Sequence, residues 1–148
     1  MDRKAVFETL KVDEGVVYEV YADHLGLHTF GVGHLITEND KEWGAAFGTP
    51  VSEERVWECF EKDLDTSISE CYKLYGESEF DSFPEEVQQV VVNMMFNMGR
   101  PRLSGFKKFN AALLEGNWAQ AAVEGRDSRW HKQVTNRAER LMSRLEAV

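Results

Sequence analysis

Between Asp13 and His34 the chain reads "DEGVVYEVYADHLGLHTFGVGH". The stretch holds two carboxylates, Glu14 and Asp23, with a hydroxyl at Thr29 and an imidazole at His34. Two carboxyls facing one cleft are what glycosidic cleavage requires. One gives its proton to the leaving oxygen while the other activates a water or attacks the sugar. With 26 acids in 148 residues, however, two within ten positions is ordinary density, and spacing alone reads as two solvated surface acids rather than a catalytic pair. Placement says more. Glu14 falls where a helix should end, an unfavourable place for negative charge unless a cation or a function holds it there. Asp23 falls at a strand-to-turn corner, where aspartate is also a routine turn residue. Thr29 reads as an ordinary β-branched strand residue, and His34 as a core histidine bonded to a carboxylate.

The elements that must position these groups follow from periodicity. Ala5, Val6 and Leu10 around Phe7 predict a short helix over residues 3–11, closing near "DEG" with Gly15 as its C-cap. Val17, Tyr18, Val20 and Tyr21 favour a strand, "ADHLG" a turn, and "LHTFGVGHLI" a second β-prone run. Gly31 and Gly33 there suggest bulges or a close backbone approach. After a loop at residues 38–50, Ser52 should cap a long helix running to Tyr75, with Val56, Phe60, Leu64, Ile68 and Tyr72 as its apolar stripe. "SFPE" reads as a capping box, Ser82 capping and Glu85 reaching back. It opens a helix that is apolar nearly all round over residues 87–98, hence buried, with Met94, Met95, Phe96 and Met98 as core. Shorter helices follow, with Gly116 and Gly125 as stops and Ser104, Asn117 and Thr135 as caps. Trp118 and Trp130 are first choices for lobe packing.

Composition limits the function. The length suits one domain, or two small lobes sharing a core. No apolar run approaches the roughly 18–20 residues that span a bilayer, and the N-terminus lacks the continuous apolar region of a secretory signal. Net charge is −9, spread as 18 acids against 7 bases in residues 1–80 and 8 against 10 in residues 81–148. Nucleic acid is therefore not an expected partner. Cys59 and Cys71 lie twelve positions apart on one expected helix, about 18 Å, so they read as reduced thiols. His24, His28, His34 and His131 form no familiar zinc spacing, and neither metal nor cofactor is expected.

The segment "DEGVVYEVYADHLGLHTFGVGHLIT" resembles the active-site segment of the T-even phage lysozymes, within the phage-type muramidases. The likeness resumes at "NMMFNMG", "SGF", "WAQAAVEG" and "SRWHKQVTNRAERL", in order and over nearly the whole chain. The resemblance implies an α+β lysozyme-like fold. A small antiparallel β lobe (about 12–51) is joined by a connecting helix (about 52–75) to a helical lobe (about 82–148, with the N-terminal helix), around a sugar-binding cleft. It implies Glu14 as general acid, Asp23 as second catalytic carboxylate and Thr29 as holder of the attacking water. Leu35 and Phe96 then contact the sugar chain, Arg137 supports the glutamate, and His34 with Asp63 forms a structural ion pair. The implied activity is hydrolysis of the β-1,4 bond between N-acetylmuramic acid and N-acetylglucosamine in peptidoglycan. The implied actor is a monomeric endolysin in the host cytoplasm, without stable membrane insertion, that reaches the wall through a holin-like pore. A prophage-derived, secreted or tail-borne muramidase is the runner-up, and a wall-binding module without catalysis the reading from another class. The chain departs from the family in a shorter loop between "GHLIT" and "VSEERV", which would lower one rim of the cleft, and in its acidic charge. Phe109 and Glu124 stand where the family carries small or amide substrate-binding residues, and neither is carried over.

Overall fold

The computed structural model describes all 148 residues, Met1–Val148. It is an α+β chain in the order α1 (Arg3–Glu14), β1 (Val17–Ala22), β2 (His28–Gly31), β3 (His34–Leu35), α2 (Glu53–Tyr75), α3 (Glu77–Ser82), α4 (Glu85–Leu103), α5 (Lys107–Leu114), α6 (Trp118–Arg126), α7 (Arg129–Gln133) and α8 (Thr135–Glu146). Two compact units divide it, residues 3–65 in one and residues 1–2 with 66–148 in the other.

In the unit of residues 3–65, Val6 and Leu10, one helical turn apart, give α1 its buried side. Gly15 ends the helix at φ 78, a left-handed conformation that L side chains rarely adopt. The three strands form one antiparallel sheet in sequence order. Tyr21 pairs with Thr29 and Thr29 with Leu35, so these three side chains share one face; Phe30 pairs with His34 on the other. The expected bulge lies in β1, where the register shifts between Val17 and Tyr21. The two glycines instead turn the chain from β2 into β3, at φ 65 for Gly31 and 62 for Gly33. Gly31 is also a close approach: a Cβ there would meet Val56 Cγ1 at 3.2 Å. Val20, Phe30, Ile36, Val51, Val56 and Cys59 make the core that such a small sheet needs from a helix.

Ser52 does cap α2, its Oγ accepting the Arg55 N–H at 3.1 Å. The stripe on α2 is not the one expected. Val56, Phe60 and Leu64 are buried, but beyond them the buried positions are Ser67, Cys71 and Tyr75, with Ile68 and Tyr72 only half-buried. A helix makes 3.6 residues per turn, so a strict four-residue repeat walks off the buried side.

In the other unit, α4 carries the core: Val87, Val90, Val91, Val92, Met94 and Met95 are all buried. Ser82 is not its cap. It closes α3, donating to the Glu79 carbonyl at 2.6 Å, and Pro84 occupies the cap of α4 with no side-chain bond. The sequence could be read so because "SFPE" has the capping-box spacing while the preceding six-residue helix is too short to show an apolar period. Gly99, at φ 77 and ψ 164, kinks α4 near its end. Asn117 caps α6, whereas Ser104 ends α4 and Thr135 opens α8 without capping it. Gly125 is no stop: it lies buried inside α6, where a Cβ would collide with Met142 of α8. Trp130 is fully buried and its indole N–H donates to Asn97 Oδ1 at 2.9 Å; Trp118 is half-buried against Phe83. Both cysteines are buried and free, their thiols pushed up by burial, Cys59 to about 11 and Cys71 to about 12.

Candidate active site

Glu14 is the last residue of α1, so its carboxylate stands at the negative end of the helix dipole. The basic residue of that turn, Lys11, pairs with Glu8 at 3.1 Å and lies over the Phe7 ring. Asp23 follows β1 directly and nucleates the turn into β2. Its own N–H donates to the Leu27 carbonyl at 2.9 Å, and its Oδ1 accepts the N–H groups of Leu25 at 2.8 Å and Leu27 at 2.9 Å. The Leu27 bond is the main cause that holds this carboxyl below its ordinary range; burial opposes it, and the Leu25 bond and the nearby His24 add to the lowering. Asp23 is therefore a carboxylate at neutral pH, and both of those turn bonds fall on the same oxygen.

Thr29 is buried, and its hydroxyl donates to the Leu27 carbonyl at 3.0 Å. That bond uses the hydroxyl proton and leaves the oxygen lone pairs as acceptors. Leu35, its cross-strand neighbour, is 47% exposed. Tyr21, on the other side of Thr29, has its phenol pushed up by burial, then by the charge of Asp23, then by that of Glu14. The charges of both carboxylates thus act on one side chain of the sheet.

His34 sits between two carboxylates, Nδ1 at 2.7 Å from Asp63 and Nε2 at 3.0 Å from Asp40. Burial disfavours its charge, but the bonds and charges of Asp63 and Asp40 outweigh it and hold the imidazole above its ordinary value. Asp40 also accepts the Thr37 N–H at 2.9 Å and lies 3.3 Å from Arg55, whose guanidinium grips Glu42 through two bonds of 2.8 and 2.9 Å. His34, Asp40 and Cys59 offer ligand atoms within 4.8 Å of one another, the donor set a metal would use. A cation there would have to displace the protons of an imidazole held between carboxylates and of a thiol raised to about 11, beside a guanidinium. The group is built as an ion-pair network.

Phe96 is half-buried on α4. Arg137 on α8 is buried, its Nε and Nη2 donating to Asn93 Oδ1 at 2.9 and 2.8 Å. Phe109 is buried too, whereas Glu124 accepts from Gln120 at the surface. Sequence reasoning missed Tyr21 as a residue on which both carboxylate charges act, Asp40 as the second partner of His34, Arg55 as the partner of Asp40, and the exposed Trp43. Only Trp43 left a signal, an aromatic residue in a polar loop, where binding residues concentrate.

Residues 11–147 match the phage lysozyme family. The chain belongs to that family. Two relatives in Dictyostelium discoideum, described as probable T4-type lysozymes 2 and 1, are each 31% identical and align over 94% and 96% of this chain, covering 92% and 94% of their own lengths. The pre-baseplate central spike protein Gp5 of Enterobacteria phage T4 is 30% identical over 90% of this chain, and the match takes up 26% of that protein. This phage lysozyme family member is a glycoside hydrolase, and no helix in it is long and apolar enough to cross a membrane.

Proposed function

We propose that this lysozyme cleaves the β-1,4 bond between N-acetylmuramic acid and N-acetylglucosamine in peptidoglycan with inversion, Glu14 as general acid and Asp23 with Thr29 holding the water. The observation that carries the reading is the turn at Leu27: its N–H, with that of Leu25, holds Asp23 ionised, its carbonyl accepts the Thr29 hydroxyl, and Glu14 ends the helix that leads into the same sheet. In the step, water donates one hydrogen bond to Asp23 and one to the Thr29 oxygen, and one of its oxygen lone pairs attacks the anomeric carbon. The glycosidic C–O bond breaks as the leaving oxygen takes the Glu14 proton, and the water proton passes to Asp23. Leu35 and Phe96 contact the sugar chain, and the supporting roles of Arg137, His34 and Asp63 belong to the same proposal. So do the division at about 12–51, 52–75 and 82–148, the monomeric state and the lack of any cofactor.

As an endolysin the protein would wait in the host cytoplasm and reach the wall through a holin-like pore. The likeness to part of the phage T4 spike protein favours a second setting, in which the same chemistry is carried on a phage tail. Either way the bond cut is the same. Digested peptidoglycan, reduced with borohydride and resolved by mass spectrometry, should show new muramitol ends, absent with Glu14→Gln. New ends of N-acetylglucosaminitol would overturn the bond assignment, and wall binding without new ends would leave a binding module.

A further inference from the structure

In the unit of residues 3–65 lies an open cavity of about 410 Å³, walled mainly by Leu27, His28, Leu35, Ile36 and Trp43. Its size falls in the range of small-molecule sites. Trp43 is 62% exposed, on the loop between β3 and α2. An exposed tryptophan on a flexible loop would mean little, but this loop is fixed. Asp40 and Glu42, on the near side of Trp43, are clamped by Arg55, and the Trp43 N–H donates to the Asp40 carbonyl at 3.0 Å. On the far side, Gly48 N–H donates to the Val20 carbonyl at 2.7 Å and Val20 N–H to the Thr49 carbonyl at 2.9 Å, pinning the loop to β1. His28 is held against Phe47 with ring centres 4.1 Å apart. The indole is thus presented to solvent by a rigid frame that gains nothing from its exposure.

We propose that this cavity is an additional sugar subsite, in which the apolar C–H face of one neutral N-acetylated sugar stacks on Trp43 and its acetyl methyl enters between Leu27 and Leu35. The inference rests on the peptidoglycan reading above and adds to it a residue that reading does not use. Two observations select the occupant. The cavity adjoins the face that carries Thr29 through one wall, Leu35, which is the cross-strand neighbour of Thr29. Its walls offer apolar carbons and one imidazole but no charged carboxylate or ammonium, and the unit around it holds 14 acids against 6 bases, which opposes an anionic lipid or polyphosphate. A neutral sugar needs no counter-charge, and an aromatic face with apolar neighbours suits its carbon-bound hydrogens.

The test uses Glu14→Gln, so that the glycan is bound but not consumed, with peptide-free peptidoglycan oligomers of two, four and six sugars as probes. Calorimetry and the four indole N–H resonances are followed with and without Trp43→Ala. The Trp43 resonance should move on binding, and the alanine change should weaken the longer oligomers by about tenfold. The disaccharide should be unaffected, and Trp43→Phe should restore part of the loss. Equal affinities for every length, or a Trp43 resonance that stays still while glycan binds, would overturn the subsite. Self-association abolished by Trp43→Ala would do so too, by assigning the face to a second copy. No binding of any oligomer by Glu14→Gln would instead overturn the peptidoglycan reading beneath it. Circular dichroism of each variant guards against unfolding, which a change at so exposed a side chain should not cause.

Discussion

Replacing Arg55 by methionine keeps an unbranched apolar stem and removes the guanidinium that joins the 37–50 loop to α2. The guanidinium meets three carboxylates, with Arg55 itself only 9% exposed along its side chain. Glu58 is 55% exposed, and its helical pair is worth only about 0.3–0.5 kcal/mol. Asp40 keeps His34 and the Thr37 N–H after the change. Glu42 is different: its side chain is 10% exposed, and it loses both arms of a bidentate pair. Orphaning one partner of a pair this dry costs about 3 kcal/mol, the lower end for buried pairs. For a chain of this size that is roughly 6–12 °C in melting temperature. Thermal unfolding by circular dichroism reads it, and Arg55→Met/Glu42→Gln should recover about half, since the stranded charge is then gone. The sign in pH is fixed by the same contact. The Arg55 bond holds the Glu42 carboxyl below its ordinary value, with burial opposing, so its contribution is present above an unfolded value of 4.5 and lost as pH falls. The deficit of Arg55→Met should accordingly be full at pH 7 and shrink below about pH 4. A loss under about 1 kcal/mol at pH 7, or no recovery in the double variant, would refute the claim that this network fixes the loop.

His34 titrates in the opposite sense. Its folded value is raised, so the stability it adds is present below an unfolded value of 6.5 and is lost as pH rises through the folded one. His34→Asn should cost roughly 2 kcal/mol at pH 5.5 by chemical denaturation and progressively less toward pH 9; a cost that grows with pH would contradict the imidazolium. Gly31→Ala should lose about 2 kcal/mol or more from left-handed backbone strain and the nearby Val56 methyls, whereas a neutral result would mean the β2–β3 turn is misread. Thr29→Val keeps shape and burial, so it should fold with a loss of about 1 kcal/mol yet turn over at least tenfold more slowly. The wild type should release the α-anomer first, seen by proton NMR before mutarotation. A β-anomer as first product would defeat the water-holding role of Asp23 and Thr29.

The sequence could be read most fully where local chemistry decides the structure. The Gly15 stop, the Asp23 turn and the Ser52 cap stand where expected, and the two β-prone runs are strand, the second divided by its glycines into β2 and β3. It failed where tertiary contact decides. Gly125 has a helix-stop residue type, yet it sits inside α6 because Met142 leaves no room for a side chain. Ser82 has the spacing of a cap, but the chain spends its hydroxyl on the preceding turn. The proposal of Glu14, Asp23 and Thr29 comes from resemblance, because spacing alone favours two solvated surface acids. Tyr21, Asp40 and Arg55 were invisible for a plain reason. Their meaning lies in cross-strand register and in contacts between loop and helix, which no linear period encodes.

The most direct measurement is the initial rate of wall hydrolysis by Glu14→Gln beside wild type, with both shown folded by circular dichroism. The change keeps the size and hydrogen-bonding shape of the side chain and removes only the transferable proton. A positioned acid contributes about 10²–10⁴-fold, so release of new reducing ends from purified peptidoglycan should fall by that factor while glycan binding persists. A folded Glu14→Gln enzyme working within a few-fold of the wild-type rate would contradict the account and place the acid elsewhere.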